Sequence, residues 1–193
     1  LPLRLNFFKA AKITFFLSPK QVGLTVYALL QLTTFDAVSK AQRYSELMRY
    51  TQELLASELP FPSLLANFSS QYAFLFHKWW QGFYIVRRHT QTPALYLGPF
   101  CGPIACERIE AGKGVCGSAW QQRHTIIVPD VHAFPGHIAC SSQSNSEIVV
   151  PIFRCHGEVA AVFDVDSALY DDFDTTDKDA LESIMQLLGD AWH

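Results

Sequence analysis

No two of the five cysteines in this chain are spaced as CxxC, so the usual dithiol motif and the usual zinc-knuckle spacing are both absent. Gly112-Lys113-Gly114 lacks the rest of a Walker pattern, which excludes a phosphate loop. No apolar run reaches the roughly 18 residues of a membrane span. There is no basic excess either: 15 Lys and Arg stand against 18 Asp and Glu, a net charge of −3. That balance leaves no electrostatic case for a nucleic-acid partner. An odd number of irregularly spaced cysteines is not a secreted disulfide framework, so the thiols read as reduced and some of them as reactive. Acidic residues are missing before Asp36, whereas Arg4, Lys9, Lys12 and Lys20 are basic. Such a start reads three ways: an organelle-targeting presequence, a poorly ordered extension, or an artefact of where translation was taken to begin. Residues 1–40 are therefore set apart as an N-terminal extension. The remaining 41–193 are enough for one domain with one core.

From Ala41 the text is regular. Tyr44, Leu47, Met48, Leu54 and Leu55 recur at helical spacing until Pro60 and Pro62. A second helix is predicted after Ser63, its N-cap, through Leu64, Leu65, Phe68 and Tyr72 to about Phe76. Residues 82–86 and 94–97 read as strands around a turn at 88–93, and residues 125–128 as another. The apolar runs 146–153 and 159–165, separated by Cys155-His156-Gly157, form a hairpin. Thr175 or Thr176 caps a last helix with Leu181, Ile184, Met185 and Leu188 on one face. Helices, then strands, then a helix make an α+β domain with an antiparallel sheet.

The chemistry gathers between Cys101 and Glu147. Four of the five cysteines lie there, among Gly, Pro and Ser residues that rule out one long helix or strand. Short elements joined by loops bring several thiols near one another. Cys140 is the best nucleophile on local grounds: it follows Gly136-His137 in a loop, where an imidazolium would lower its pKa. Cys106 and Cys116 are the other candidates, against the ordinary fate of a cysteine as a buried small apolar residue. Cys101 and Cys155 read as packing residues. A zinc site drawn from His132, His137, Cys140 and one more cysteine is the metal alternative. Its spacing is not a recognised signature, and the histidines serve equally as hydrogen-bonding loop anchors.

Asp164 and Asp166 are two apart on an apolar strand, so they share a face, and Glu147 opens the partner strand. Three carboxylates in a partly buried site cannot all stay ionised, and at least one pKa rises. A protonated acid can then donate to a polar oxygen while a charged one holds an ammonium. The alternative is that strand-end acids simply meet water. Trp79 and Trp80 supply apolar surface, either as core or as one wall of a pocket for a thioether or methyl group.

Together, Trp80-Gln81-Gly82-Phe83-Tyr84, Leu97-Gly98-Pro99-Phe100, Ile104-Ala105-Cys106, Gly114-Val115-Cys116-Gly117, Asp130-Val131-His132, Gly136-His137-Ile138-Ala139-Cys140 and Asn145-Ser146-Glu147-Ile148-Val149 resemble the free methionine-(R)-sulfoxide reductases, enzymes built on a single GAF domain. The resemblance covers roughly Tyr44 to Leu188. It implies a GAF fold over 41–193, free L-methionine-(R)-S-oxide as substrate, a redox-active disulfide, thioredoxin as reductant and a part in oxidative-stress defence. It calls for no cofactor and no metal. By position it implies that Cys140 is catalytic, Cys106 resolving and Cys116 a third redox position. In the same way Trp80, Glu147, Asp164 and Asp166 match pocket residues. Cys101 departs from the family, whose members commonly carry glutamine after Gly-Pro-Phe, and Cys155 matches no motif. A homodimer and a cytoplasmic location follow as expectations, with a mitochondrial one if 1–40 is a presequence. The competing class is a non-catalytic GAF sensor of a small ligand or of redox state, since fold does not fix function.

Overall fold

The computed structural model describes residues 38–88, 92–136 and 143–192. The three readings of the N-terminal extension fall almost wholly outside these residues, as do His137 and Cys140. In chain order the elements are α1 (Lys40–Leu55), α2 (Phe61–Phe76), β1 (Trp80–Arg87), β2 (Ala94–Cys101), β3 (Arg108–Ile109), α3 (Gly114–Gln122), β4 (Ile126–Val128), a 3-10 turn (Val131–Ala133), β5 (Ser146–Phe153), β6 (Val159–Ser167) and α4 (Thr175–Asp190). The strands form one antiparallel sheet in the order β3-β2-β1-β6-β5-β4, an α+β architecture as expected. No helix among the described residues is long and apolar enough to cross a membrane.

Strand alternation divides the core in two. Phe83 and Phe163 point to the face covered by α2, where Phe68 meets Phe163 edge-on at 5.3 Å and Tyr72 meets it at 5.4 Å. These four rings are fully buried, and burial of each such side chain is worth about 2–3 kcal/mol. Helix α1 presents Tyr44, Leu47, Thr51 and Leu54 at helical spacing and packs on α2 and α4. Asp177 of α4 is wholly buried, accepting from Tyr44 Oη at 2.8 Å and from Lys40 Nζ at 2.6 Å. The opposite face carries Trp80, Tyr84, Val149 and Val162, roofed by Val115, Cys116 and Ala119 of α3. The cleft lies between that face and α3.

Two helix starts differ from expectation. Helix α2 begins at Phe61 behind Pro60, with Pro62 in its first turn, and Ser63 is not its cap. Proline fits there because the first-turn N–H groups have no partner inside the helix. Helix α4 is capped by Asp174, not by Thr175 or Thr176. The Asp174 carboxylate accepts from the N–H groups of Thr176 and Asp177, and Asp177 reaches back to the N–H of Asp174. Cys155 is exposed in the hairpin turn and does not pack, because β5 and β6 have already parted there.

Candidate active site

The cleft has a volume of about 570 Å³, part of it open to solvent. One wall is aromatic, formed by Trp79, Trp80 and Tyr84. The 103–105 segment and α3 close the other side, and the floor is acidic, with Glu147, Asp164 and Asp166. The floor follows from register. Glu147 of β5 pairs directly with Asp166 of β6, and Asp164 sits two residues before Asp166 on the same face. These acids do not turn to water at a strand end: Glu147 and Asp164 are buried and Asp166 is half-buried.

Burial first, and then the charges of Asp164 and Asp166, push the Glu147 carboxyl well above the ordinary range. Asp164 is also pushed well up, by burial and by Asp166, while hydrogen bonds from Cys116 and Glu147 act against this. Burial pushes Asp166 up to about 6, opposed by a hydrogen bond from Ser144. Near neutral pH the floor therefore holds at least one proton that a bound oxygen could take. The Cys116 thiol is pushed well up by burial and by the charges of Asp164 and Glu147, and it donates to Asp164.

The Asp166 shift has a consequence for stability. The folded chain keeps the Asp166 proton up to about pH 6, whereas an ordinary aspartate loses it near 3.8. The stabilisation is full below the unfolded value and is lost as pH rises through about 6. The melting temperature should accordingly fall between about pH 4 and 6, and Asp166→Asn should flatten that fall. Parallel melting curves of the two proteins would check this, and identical slopes would contradict it.

Trp80 is fixed from three sides. Its Nε1 donates to the Pro103 carbonyl at 3.0 Å, and its ring stacks on Phe100 at 5.6 Å and on Tyr84 at 5.9 Å. The indole lies so close to the backbone that two glycines are required. A Cβ on Gly82 would stand 2.4 Å from Phe100 Cβ and 2.7 Å from Trp80 Cη2. One on Gly102, at φ +139°, would stand 2.5 Å from Trp80 Cδ1. Gly82→Ala should cost about 1–3 kcal/mol of stability through overpacking and should displace the indole. Denaturant unfolding followed by tryptophan fluorescence measures both, and an unchanged midpoint and spectrum would contradict the placement.

The cysteines separate. Cys106 is half-buried and disulfide-bonded, whereas Cys101, Cys116 and Cys155 are free. Cys116 alone of the described cysteines lines the cleft. His132 is exposed, its Nε2 3.3 Å from Asn145 Oδ1, and Asn145 donates through Nδ2 to the Ala168 carbonyl at 2.7 Å. This bears out the reading of His132 as a loop anchor. His137 and Cys140 lie outside the described residues.

Residues 68–193, well over half of the chain, match the GAF domain family. The chain belongs to that family. Within it, the chain is 47% identical over 150 residues to GAF domain-containing protein A of Dictyostelium discoideum, covering 78% of this chain and 92% of that protein. It is 40% identical over 152 residues to the free methionine-R-sulfoxide reductase of Escherichia coli, covering 78% and 89%. The free methionine-R-sulfoxide reductase of Neisseria meningitidis, solved in complex with its substrate, superposes with a TM-score of 0.76 at 41% identity. That match covers 80% of this chain and 91% of the other.

In this GAF domain the cleft also contains residues that sequence reasoning passes over. Tyr84 is four residues from Trp80 and so on the same strand face, a signal available from the period of two. Ser144, which supports Asp166, and Lys113, ahead of α3, have no such signal.

Proposed function

We propose that this GAF domain reduces free L-methionine-(R)-S-oxide to L-methionine. The observation that carries the reading is the buried floor of Glu147, Asp164 and Asp166 against Trp80, in a chain close to named reductases of this type. Free methionine sulfoxide brings an ammonium for a charged carboxylate, a carboxylate for which Lys113 stands at the cleft, and an S-methyl group for aromatic rings. The oxygen to be removed meets a protonated acid.

In the proposed cycle the Cys140 thiolate attacks the sulfoxide sulfur while a floor carboxyl gives its proton to the oxygen. The attack joins the two sulfurs; that bond and the substrate S–O bond then break as the protonated oxygen passes to Cys140, forming its S–O bond, and methionine leaves. Methionine sulfur is reduced by an electron pair and Cys140 is oxidised to the sulfenic acid. Cys106 then displaces water to give a disulfide, and a thioredoxin dithiol resets the pair by exchange. The disulfide-bonded state of Cys106 supports its part as resolving thiol. Cys116, held protonated among the acids, is a poor first nucleophile, so its part as third redox position is confined to recycling. We place the enzyme in the cytoplasm, in oxidant defence, with 41–193 as the catalytic domain and 1–40 as an extension.

A thioredoxin-coupled NADPH assay on free R, free S and peptide-bound methionine sulfoxide tests the reading. Turnover of the free R epimer alone is expected. Equal rates on free and peptide-bound substrate would overturn it.

A further inference from the structure

The cleft floor sets a thiol beside two of its acids. The Sγ of Cys116, a carboxylate oxygen of Glu147 and a carboxylate oxygen of Asp164 all lie within 4.8 Å of one another. The three side chains are buried and come from three elements, α3, β5 and β6. Asp164 is 6% exposed, and its Oδ1 is buried with no hydrogen-bond partner, which normally costs free energy unless something occupies its direction. A thiol beside two carboxylates is a donor set for a divalent ion. Zinc bonds thiolate sulfur at about 2.3 Å and carboxylate oxygen at about 2.0–2.2 Å, so a tetrahedral site has ligand separations of roughly 3.3–3.8 Å. Magnesium and calcium fit poorly, because they require about six or more oxygens, and the neighbouring positions on the same sheet face are Trp80 and Tyr84.

We infer that Cys116, Glu147 and Asp164 form a three-ligand site for a divalent transition-metal ion of the zinc type, and that this ion and free methionine sulfoxide exclude one another. The ion is an inhibitor in this role and not a cofactor, since it takes up Glu147, the carboxyl that the sulfoxide oxygen would meet, and fills the cleft floor. The mutual exclusion rests on the proposed substrate; the metal site does not. It also differs from the set His132, His137 and Cys140, since His132 bonds Asn145 and does not line the cleft.

Cobalt(II) is the probe, because a coordinated thiolate gives it a charge-transfer absorption in the near ultraviolet. The experiment uses the full chain with its disulfide formed, so that Cys106 offers no thiolate. The expected result is a band that saturates at about one ion per chain, survives in Cys101→Ser and Cys155→Ser, and vanishes in Cys116→Ser. Glu147→Gln and Asp164→Asn should each weaken cobalt binding by at least about tenfold, since ligand loss exceeds the usual effect of losing an outer partner. Zinc should displace cobalt and abolish the band. Circular dichroism guards against an unfolded variant, and zinc displacement in the wild type gives a readout that needs no variant. A band that survives Cys116→Ser, or no band in the wild type, overturns the site. Free methionine-(R)-sulfoxide should raise the apparent cobalt Kd in proportion to its concentration. An unchanged Kd at saturating sulfoxide, in protein that reduces the sulfoxide, overturns the exclusion. Cobalt bound through Cys116 in protein with no reductase activity supports the site and sinks the functional reading alone.

Discussion

Cys140→Ser is expected to abolish methionine formation altogether, including the first equivalent. Serine cannot attack the sulfoxide sulfur as a thiolate does, and no described cysteine is placed to replace it. Cys101 ends β2 outside the cleft, Cys155 is exposed in the distal hairpin turn, and Cys116 is held as a thiol by burial and by its acidic neighbours. Cys106→Ser should behave differently. Its nucleophile survives, so it should release about one methionine per chain and then stall as a sulfenic acid. Rapid-quench counting of methionine, with a sulfenic-acid trap, separates the two variants. Mass spectrometry of the oxidised wild type should join Cys106 to Cys140. A disulfide on Cys101 would overturn the resolving role of Cys106.

The second large effect concerns the acids, which the cleft distinguishes from one another. Glu147 is the more deeply buried and its carboxyl is pushed well up, so in the proposed cycle it is the donor to the sulfoxide oxygen. Asp166 is half-buried, and at about 6 it is mostly charged above neutrality, which suits it to an ammonium. Glu147→Gln should therefore slow first-turnover methionine release by about 10²–10⁴, the usual size for removing a general acid. Asp166→Asn should mainly raise KM. In the wild type, release should slow as pH rises through the titration of the donor, and this dependence should be missing from Glu147→Gln. Stopped-flow or quench measurements across pH decide the matter. A release rate near that of the wild type in Glu147→Gln, with only KM raised, would give the proton to water or a histidine and leave Glu147 a binding role.

Much of this was legible where one physical period dominates. Tyr44, Leu47 and Leu54 mark α1, and the paired apolar runs 146–153 and 159–165 mark the β5–β6 hairpin, because a buried face forces its own spacing on the chain. The same period of two places Asp164 and Asp166 together, and antiparallel pairing adds Glu147. Helix α3 is not legible: it has nine residues with glycine at 114 and 117, and its buried side spans most of its first two turns. Without α3 nothing shows that Cys116 meets the acids, since that contact exists only when α3 packs on β5 and β6. The α4 cap misleads because Asp174-Thr175-Thr176 offers three capping side chains in a row. Only the reciprocal bond from Asp177 selects the first. The close approach of Trp80 to Gly82 and Gly102 is likewise a tertiary fact that no local pattern encodes.

The most direct test of the central claim needs no partner protein. Fully reduced chain is mixed with equimolar free R or free S methionine sulfoxide, with no reductant present, and released methionine and remaining thiols are counted. The expected result with the R epimer is about one methionine formed and about two thiols lost per chain, as one sulfenic acid condenses to one disulfide. With the S epimer neither count should change. Methionine from both epimers alike, or none from R while the thiols stay intact, would contradict the account.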